Sequence, residues 1–430
     1  MSKKKKILFI HQNFPAQYKF LADKVSKVSK FDVHSLSLNS PDTLKLFELK
    51  DKYPNVTHHK YSIYKENVKG LNRLAVEFET KMIRAEAVAS KALELKEEGF
   101  EPDLIVIHPG WGEGFLLKEV WLNAKFLTYF EFFYNTKDSD VDFDLQEENR
   151  PNYDFELRTK LVARNSPFLS SLSQSDSMIC PTEFQKNTAP LEFRNKINVI
   201  HDGINTEELK SKKDASVTIT KRKADNTDEQ LILTRKNKVI TFINRNLEPY
   251  RGYHMFMRSL PEIIEKHPDA YILIIGGDGV SYGAQPEKES YKIQFYQEVK
   301  DKLPAQNNIL FLGRIPYNYL LSVLDISSLH IYLTYPFVLS WSMLEAMSLE
   351  CLVLGSKTEP VEEVIKDNKN GLLVDFFDHK EIARLAIDVL NNPDSYIKLR
   401  KAARKTIVDK YDLNSVCMPK QLELIERLLK

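Results

Sequence analysis

Ile331 to Gly355, IYLTYPFVLSWSMLEAMSLECLVLG, is the stretch whose reading decides the fold. A short apolar run, Ile331 to Leu333, gives way to a loop with Pro336. A helix follows, with Ser342 placed to cap it, Glu345 in its first turn, and Ala346, Met347 and Leu349 at helical spacing. Cys351 to Leu354 then begins a strand. Strand, loop, helix and strand make a βαβ unit, and open α/β sheets bind ligands in such loops at the carboxyl ends of parallel strands. Helix-start amides and the positive dipole end suit a diphosphate, and a carboxylate at Glu345 suits the vicinal hydroxyls of a sugar. The bland reading stands beside it: an acidic first helical turn also forms for dipole reasons alone.

Composition narrows the partners. The chain has 430 residues, 43% of them apolar, which allows two domains with a core each. A formal net charge of +1 argues against a dedicated nucleic-acid binder. Cys180, Cys351 and Cys417 have no metal-ligand spacing and read as reduced thiols of a cytosolic protein. No apolar run is long enough to span a bilayer, and the opening MSKKKKILFIH lacks a signal-peptide core, so a soluble, cytoplasmic protein is expected. Lys3 to Lys6 reads as a solvated charge run, with peripheral contact to anionic lipid as the alternative.

The first half opens with a strand, Lys6 to His11, a loop containing Asn13 and Pro15, a helix through Phe20, Leu21 and Val25, and a second strand, Phe31 to Leu38. It has no Gly-rich dinucleotide fingerprint, which lowers a dehydrogenase reading. Glu66 to Glu98 is periodic as a helix. Asp103 to His108 is a strand running into Pro109-Gly110-Trp111-Gly112-Glu113-Gly114, where three alternate glycines let backbone approach a ligand and His108, Trp111 and Glu113 offer polar and aromatic surface; tight turning alone also explains the glycines. Phe126 to Phe133 is a strand carrying Glu131, and the acidic Asp138 to Glu148 reads as a solvated loop rather than a metal site. Ser177 to Cys180 and Ile197 to Ile200 are the last strands, with Thr182 capping a helix between them, and Lys210 to Asn237 reads as a polar surface excursion.

The second half starts with the strand Val239 to Ile243 and a loop holding Arg245 and Arg251, ahead of a helix through Phe256, Met257 and Leu260. Tyr271 to Ile275 ends in Gly276-Gly277-Asp278-Gly279, and Ile309 to Leu312 ends in Gly313-Arg314-Ile315-Pro316.

These second-half motifs, with LEAM, Glu362-Glu363-Val364-Ile365 and Asn370-Gly371-Leu372-Leu373-Val374, resemble the nucleotide-binding half of the family 4 glycosyltransferases, retaining enzymes of the GT-B fold. The resemblance implies an α/β architecture of two Rossmann-like domains facing a central cleft, residues 1–203 and 204–410, with residues 411–430 forming a C-terminal helix that crosses back to the first domain. His201-Asp202-Gly203-Ile204-Asn205 resembles the family's junction signature, with Asp202 for the usual Asn. Arg245 and Arg251 then stand where the family meets the donor diphosphate, two fixed cations that neutralise the leaving group without a metal. Gly313, Arg314 and Ile315 stand where main-chain groups read the nucleobase. Phe337, Leu339, Ser340, Trp341 and Ser342 would complete the donor site, with Arg245, Arg251, Glu345 and His108 as catalytic groups. Asn13, Gly110, Trp111, Gly112, Glu113 and Glu131 would face the acceptor, a glycan, lipid-linked or small molecule. No cofactor and no metal are implied beyond a nucleoside diphosphate sugar as co-substrate.

The match departs at one place. The family signature is two glutamates eight positions apart, and counting back from Glu345 gives Phe337, with Val338-Leu339-Ser340 in place of a Gly-Phe-Gly loop. The ordered set HQNFP, HPGWGEG, YFEFFY and IHDGIN looks like a branch of the family in which that exchange also occurs. A non-catalytic nucleotide-sugar-binding or scaffold protein, and a GT-B sugar-nucleotide epimerase, are the readings to be separated from transfer.

Overall fold

The computed structural model describes residues 3–145, 155–222, 228–305 and 307–430. The end of the acidic segment, Glu147 and Glu148, and residues 223–227 of the polar excursion lie outside them. The chain forms two compact units: unit 1 takes the described residues of 1–136, 153–202 and 417–430, and unit 2 those of 137–152 and 203–416.

Unit 1 is a parallel sheet of β1 (Lys5–Ile10), β2 (Phe31–Leu38), β3 (Val56–Tyr61), β4 (Leu104–Ile107), β5 (Lys125–Tyr129), β6 (Ser177–Cys180) and β7 (Ile197–Val199), in the order β3-β2-β1-β4-β5-β6-β7. Leu8, Ile10, Ile105 and Ile107 bury one face against Val88, Ala92 and Leu95 of the helix Val76–Glu97. That helix begins ten residues later than its periodicity predicts, because Leu71 and Leu74 follow Gly70, held at φ +82°, in a half-buried turn stretch. β3 was not expected at all, since VTHHKY is polar. Burial is possible because His58 finds the Ser35 hydroxyl (2.7 Å), which gives each of these two polar side chains a partner. β5 ends at Tyr129, so Glu131 lies in a loop rather than on a strand. The C-terminal helix Met418–Leu428 is part of unit 1, where Gln421 Nε2 donates to the His201 carbonyl (3.1 Å).

Unit 2 has a six-stranded parallel sheet and a hairpin. The hairpin is β8 (Ser216–Arg222) against β9 (Asp228–Thr234), and the sheet strands are β10 (Val239–Asn246), β11 (Tyr271–Gly277), β12 (Asn308–Gly313), β13 (Leu329–Tyr332), β14 (Val353–Ser356) and β15 (Leu372–Val374), ordered β12-β11-β10-β13-β14-β15. The expected polar excursion is therefore a packed hairpin: Val217, Ile219 and Leu233 are buried, and Tyr319 of the helix Tyr317–Ile326 donates its hydroxyl to the Thr218 carbonyl (2.6 Å). The alternation is there in β8, with Ser216, Thr218 and Thr220 outward, but those polar residues read as loop. The acidic stretch is also not a solvated loop, since Asp140 and Asp144 are buried inside unit 2. The three cysteines are buried and none is in a disulfide.

Candidate active site

In each unit the strand order reverses beside a central strand, between β1 and β4 and between β10 and β13. Loops leaving the carboxyl ends of such neighbouring strands splay apart and leave a crevice, the usual ligand position in open α/β sheets.

In unit 2, β10 carries a register shift between Ile243 and Asn246. A bulge of this kind re-aims side chains, and here Arg245 points outward and is exposed while Asn246 is buried. Asn246 donates to the Ser281 hydroxyl (2.8 Å) and accepts from Arg314 Nη2 (3.1 Å). Arg314 lies over Gly277, where a Cβ would sit 2.8 Å from its Nε, so the absence of a side chain lets the guanidinium pack closely. The loop then turns at Gly252, which has φ +68° and would place a Cβ 2.3 Å from Leu333 Cβ. That turn sends Arg251 inward, with 6% of its surface exposed. Its Nη1 donates to Thr334 Oγ1 (2.8 Å) and to the Val338 carbonyl (2.9 Å), which ties the β10 loop to the β13 loop. The guanidinium lies 5.2 Å from the Tyr282 ring centre and 5.8 Å from that of Phe337. Thr334 is itself fixed by Ser356, whose Oγ accepts from the Thr334 amide and donates to its carbonyl (both 3.1 Å).

The two arginines are thus not equivalent: one is a buried, aimed cation and the other an exposed one on a bulge. Glu248, missed in the sequence, accepts from the amides of Ser281 (2.6 Å) and Tyr282 (3.2 Å). Burial holds its carboxyl above the usual range, outweighing those bonds and the Arg251 charge. It orders the loop that places Tyr282 beneath Arg251.

The helix of the opening stretch runs Trp341–Ser348, and its cap is Ser340 rather than Ser342: Ser340 Oγ accepts from the Ser342 amide (3.4 Å), and the Ser340 amide donates to the Tyr332 hydroxyl (2.7 Å). Glu345 consequently lies in the second turn, not the first. It is buried and accepts from the Tyr317 hydroxyl (2.5 Å), a partner the sequence did not signal. Phe337 is 2% exposed, with its ring edge-on to Tyr250 (5.7 Å) and Tyr282 (4.8 Å), so the position of the absent glutamate is an aromatic wall. Leu339 and Trp341 are half-buried beside it in sequence, and Gly313 takes φ +63° before Arg314 and Ile315.

In unit 1, His11 ends β1 and His108 ends β4, with ring centres 5.7 Å apart. His11 Nδ1 accepts from the Asn13 amide (2.9 Å), and burial, helped by His108, pushes its pKa down to about 3. His108 Nδ1 accepts from the Gly110 amide (3.2 Å), which leaves Nε2 as the ring's donor, 3.3 Å from a Glu131 oxygen. Its ring lies near-parallel to Tyr129 (5.7 Å) and Trp111 (6.3 Å). The Tyr129 hydroxyl donates to Asp202 (3.1 Å).

The three glycines make close internal contacts possible. A Cβ on Gly112 would meet the Lys81 carbonyl at 2.6 Å, one on Gly114 the Ile107 side chain at 2.9 Å, and one on Gly110 the His108 ring at 2.8 Å. Glu113 is not surface but floor: it is wholly buried, accepts from the Tyr61 hydroxyl (2.6 Å), and burial raises its pKa to about 7. The structure therefore gathers His108, Trp111 and Glu131 with His11, Tyr129 and Asp202, and leaves Glu113, Gly112 and Gly114 beneath them.

Among the described residues no group of three or more His, Cys, Asp or Glu is arranged to hold a metal ion, and no helix is long and apolar enough to cross a membrane. A cavity of about 670 Å³ lies elsewhere in unit 2, lined by Phe143, Asp144, Arg258, Glu298 and His379 among others, and neither arginine of the β10 loop nor Glu345 lines it. The aimed cation, not cavity size, marks the candidate site.

Residues 42–209 match the Glycosyl transferase family 4 group, and residues 224–406 match Glycosyl transferases group 1. Among curated proteins, a putative glycosyltransferase, YtcC of Bacillus subtilis (strain 168), is 28% identical over 179 residues, 40% of this chain and 40% of that protein. The match thus spans about two fifths of that relative's length. Among solved structures, sucrose-phosphate synthase from Thermosynechococcus elongatus superposes with a TM-score of 0.70 at 17% identity, covering 99% of both chains. Anabaena HepE, solved in complex with UDP and glucose, does so with a TM-score of 0.65 at 14% identity over 98% of this chain and 100% of its own. The fold is GT-B, α/β with two Rossmann-like parallel-sheet domains, and both matching family models are of glycosyltransferases.

Proposed function

We propose that the chain is a metal-independent, retaining glycosyltransferase that moves a sugar from a nucleoside diphosphate sugar to a hydroxylated acceptor. The observation that carries this is Arg251: a buried guanidinium, anchored by a hydroxyl and a carbonyl at the point where the strand order reverses. A fixed cation of this kind stabilises negative charge that grows on a departing diphosphate, and it needs no reorganisation as the charge develops. Arg245 supplies a second, solvent-facing cation, so the chain's own residues provide the charge that a metal ion supplies in other sites. Amides at the start of the helix Trp341–Ser348 complete the anion cradle. Main-chain groups at Gly313, Arg314 and Ile315 read the base.

Glu345 holds the ribose hydroxyls, with Tyr317 fixing one of its oxygens. Phe337 replaces a sugar-binding carboxylate by an apolar wall, and we assign it as the mark of a branch with its own donor preference. In unit 1, His108 presents Nε2–H beside Glu131, a donor and an acceptor suited to a neutral hydroxyl. Asn13, Trp111 and Glu131 line the acceptor's place. The acceptor class is a glycan, lipid-linked saccharide or small molecule, handled on the cytoplasmic side and leading to surface polysaccharide or glycolipid. HepE, solved with UDP and glucose, supports a UDP-sugar as the first donor to try.

A non-catalytic nucleotide-sugar binder is the second reading, and Phe337 is the observation that favours it. Titrating UDP- and GDP-sugars while measuring nucleotide release separates the readings. Transfer requires nucleoside diphosphate to appear in step with glycosylated acceptor. A binder releases none, and an epimerase converts donor with no acceptor present.

A further inference from the structure

We propose that Asp140 and Asp144 are positioning residues that hold the Arg251 loop in its anion-binding form; the proposal rests on reading that loop as the donor site. In chain order these acids lie between β5 and the helix Phe155–Gln174, both of unit 1, yet they are built into unit 2. Asp142 shapes the segment, its carboxylate accepting from the amides of Asp138 (2.9 Å) and Ser139 (2.8 Å), with Asp138 at φ +51°. That tight turn leaves Asp140 and Asp144 facing inward, 1% and 6% exposed.

Their partners are the residues that flank the site. Asp140 Oδ2 accepts from the Tyr250 hydroxyl (2.9 Å), and Tyr250 precedes Arg251. Asp144 Oδ2 accepts from the Tyr335 hydroxyl (3.0 Å) and lies 3.0 Å from Nε2 of His254, in the first turn of the helix after Arg251. Tyr335 follows Thr334, which accepts from Arg251. The two loops are also joined directly, the Tyr335 amide donating to the Tyr250 carbonyl (3.0 Å) with the rings 4.6 Å apart. Phe143 packs its ring on Tyr335 (5.1 Å). A buried carboxylate is costly unless hydrogen-bonded, and bonds to an ionised acceptor are stronger than neutral ones. The segment therefore has one favourable seat, and in it Tyr250 next to Arg251, Tyr335 next to its partner Thr334, and His254 are each held.

The sign of the effect separates this role from a purely electrostatic one. Removing negative charge near an anion site, by itself, tightens anion binding. If the acids act by aiming the guanidinium, removing them weakens it, because misplacement of a fixed group by about 1 Å costs up to a hundredfold.

The test uses the full chain with Asp140→Asn, Asp144→Asn, both together, and the exposed Asp138→Asn as control. Hydrogen exchange of the free protein is followed at residues 249–256 and 333–338, and UDP and GDP are titrated calorimetrically. The double variant is expected to exchange about tenfold faster in those segments, with β14 unchanged, and to bind UDP or GDP about tenfold more weakly, while Asp138→Asn matches the parent. Unchanged exchange, or nucleotide affinity equal to or tighter than the parent's, overturns the proposal. If the parent binds neither nucleotide, the donor reading falls separately, and exchange alone decides the positioning role in the same two directions. Should the Asn variants fail to fold, Tyr250→Phe, which removes only the hydroxyl, is read by the same measurements.

Discussion

The two points of strand-order reversal share a topology and differ in chemistry. In unit 2 the crevice is built around a buried cation whose hydrogen bonds run to a hydroxyl and a main-chain carbonyl. In unit 1 the corresponding place holds His11 beside His108, the latter stacked with Tyr129 and Trp111, with burial keeping His11 uncharged and Glu131 at the exposed rim. On the proposed function, the sheet supplies the place and the loops decide what it receives: an anion in one unit and a neutral hydroxylated molecule in the other.

The largest effect that tests this contrast is removal of the aimed cation. Arg251→Ala should lower kcat/KM by about 3–4 kcal/mol, as loss of a preorganised charge partner does. A rate within a few-fold of the parent would remove unit 2's claim to be the anion side. Next is Phe337→Glu. A carboxylate there enters an aromatic wall 5.8 Å from the Arg251 guanidinium, loses ring packing, and pairs with the cation that the diphosphate needs. Donor turnover is expected to fall by about 2–3 kcal/mol; a folded variant that transfers sugar faster than the parent contradicts the apolar-wall account.

The unit 1 side is sharpened by pH. Glu113 has its pKa raised to about 7 by burial, so its folded form holds a proton more tightly than the unfolded chain. Its contribution to stability is present below the ordinary carboxyl range and is lost as pH rises through about 7. His11, pushed down to about 3, runs the other way, contributing stability above the ordinary histidine range that is lost as pH falls toward 3. Glu113→Gln should therefore gain stability relative to the parent between pH 5 and 8, on the order of 2 kcal/mol. Denaturant melts with the same pH dependence in both proteins would contradict that assignment. The smallest effect is at the exposed arginine. Arg245→Ala should cost about 1 kcal/mol in donor affinity and lose that cost at high salt, and a salt-independent loss as large as that of Arg251→Ala would make the two cations equivalent after all.

Much of unit 2 was legible because its chemistry is written in consecutive residues. Arg245 and Arg251 flank one turn, and the helix after Pro336 is joined to the strand before it by a single loop. What was not legible depends on long-range partners. Glu248 acquires its role from amides at Ser281 and Tyr282, and Tyr317 meets Glu345 across 28 positions. The cap shifted from Ser342 to Ser340 because two serines two residues apart offer the same chemistry, and only the tertiary bond from the Ser340 amide to Tyr332 chooses between them. In unit 1, β3 was missed because its polar residues read as loop until Ser35 is beside His58. Glu113 read as surface because a carboxylate after glycine and tryptophan normally is. The acidic segment was misread for the same reason, since nothing local shows that tyrosine hydroxyls wait for Asp140 and Asp144.

The most direct measurement is a crystal structure of the chain with UDP, because it locates the diphosphate rather than inferring it from rates. The account predicts diphosphate oxygens within hydrogen-bonding distance of Arg251, near the first amides of the helix Trp341–Ser348, with the ribose hydroxyls on Glu345. A diphosphate bound instead beside His108 in unit 1, or in the cavity of Arg258 and His379, would contradict it.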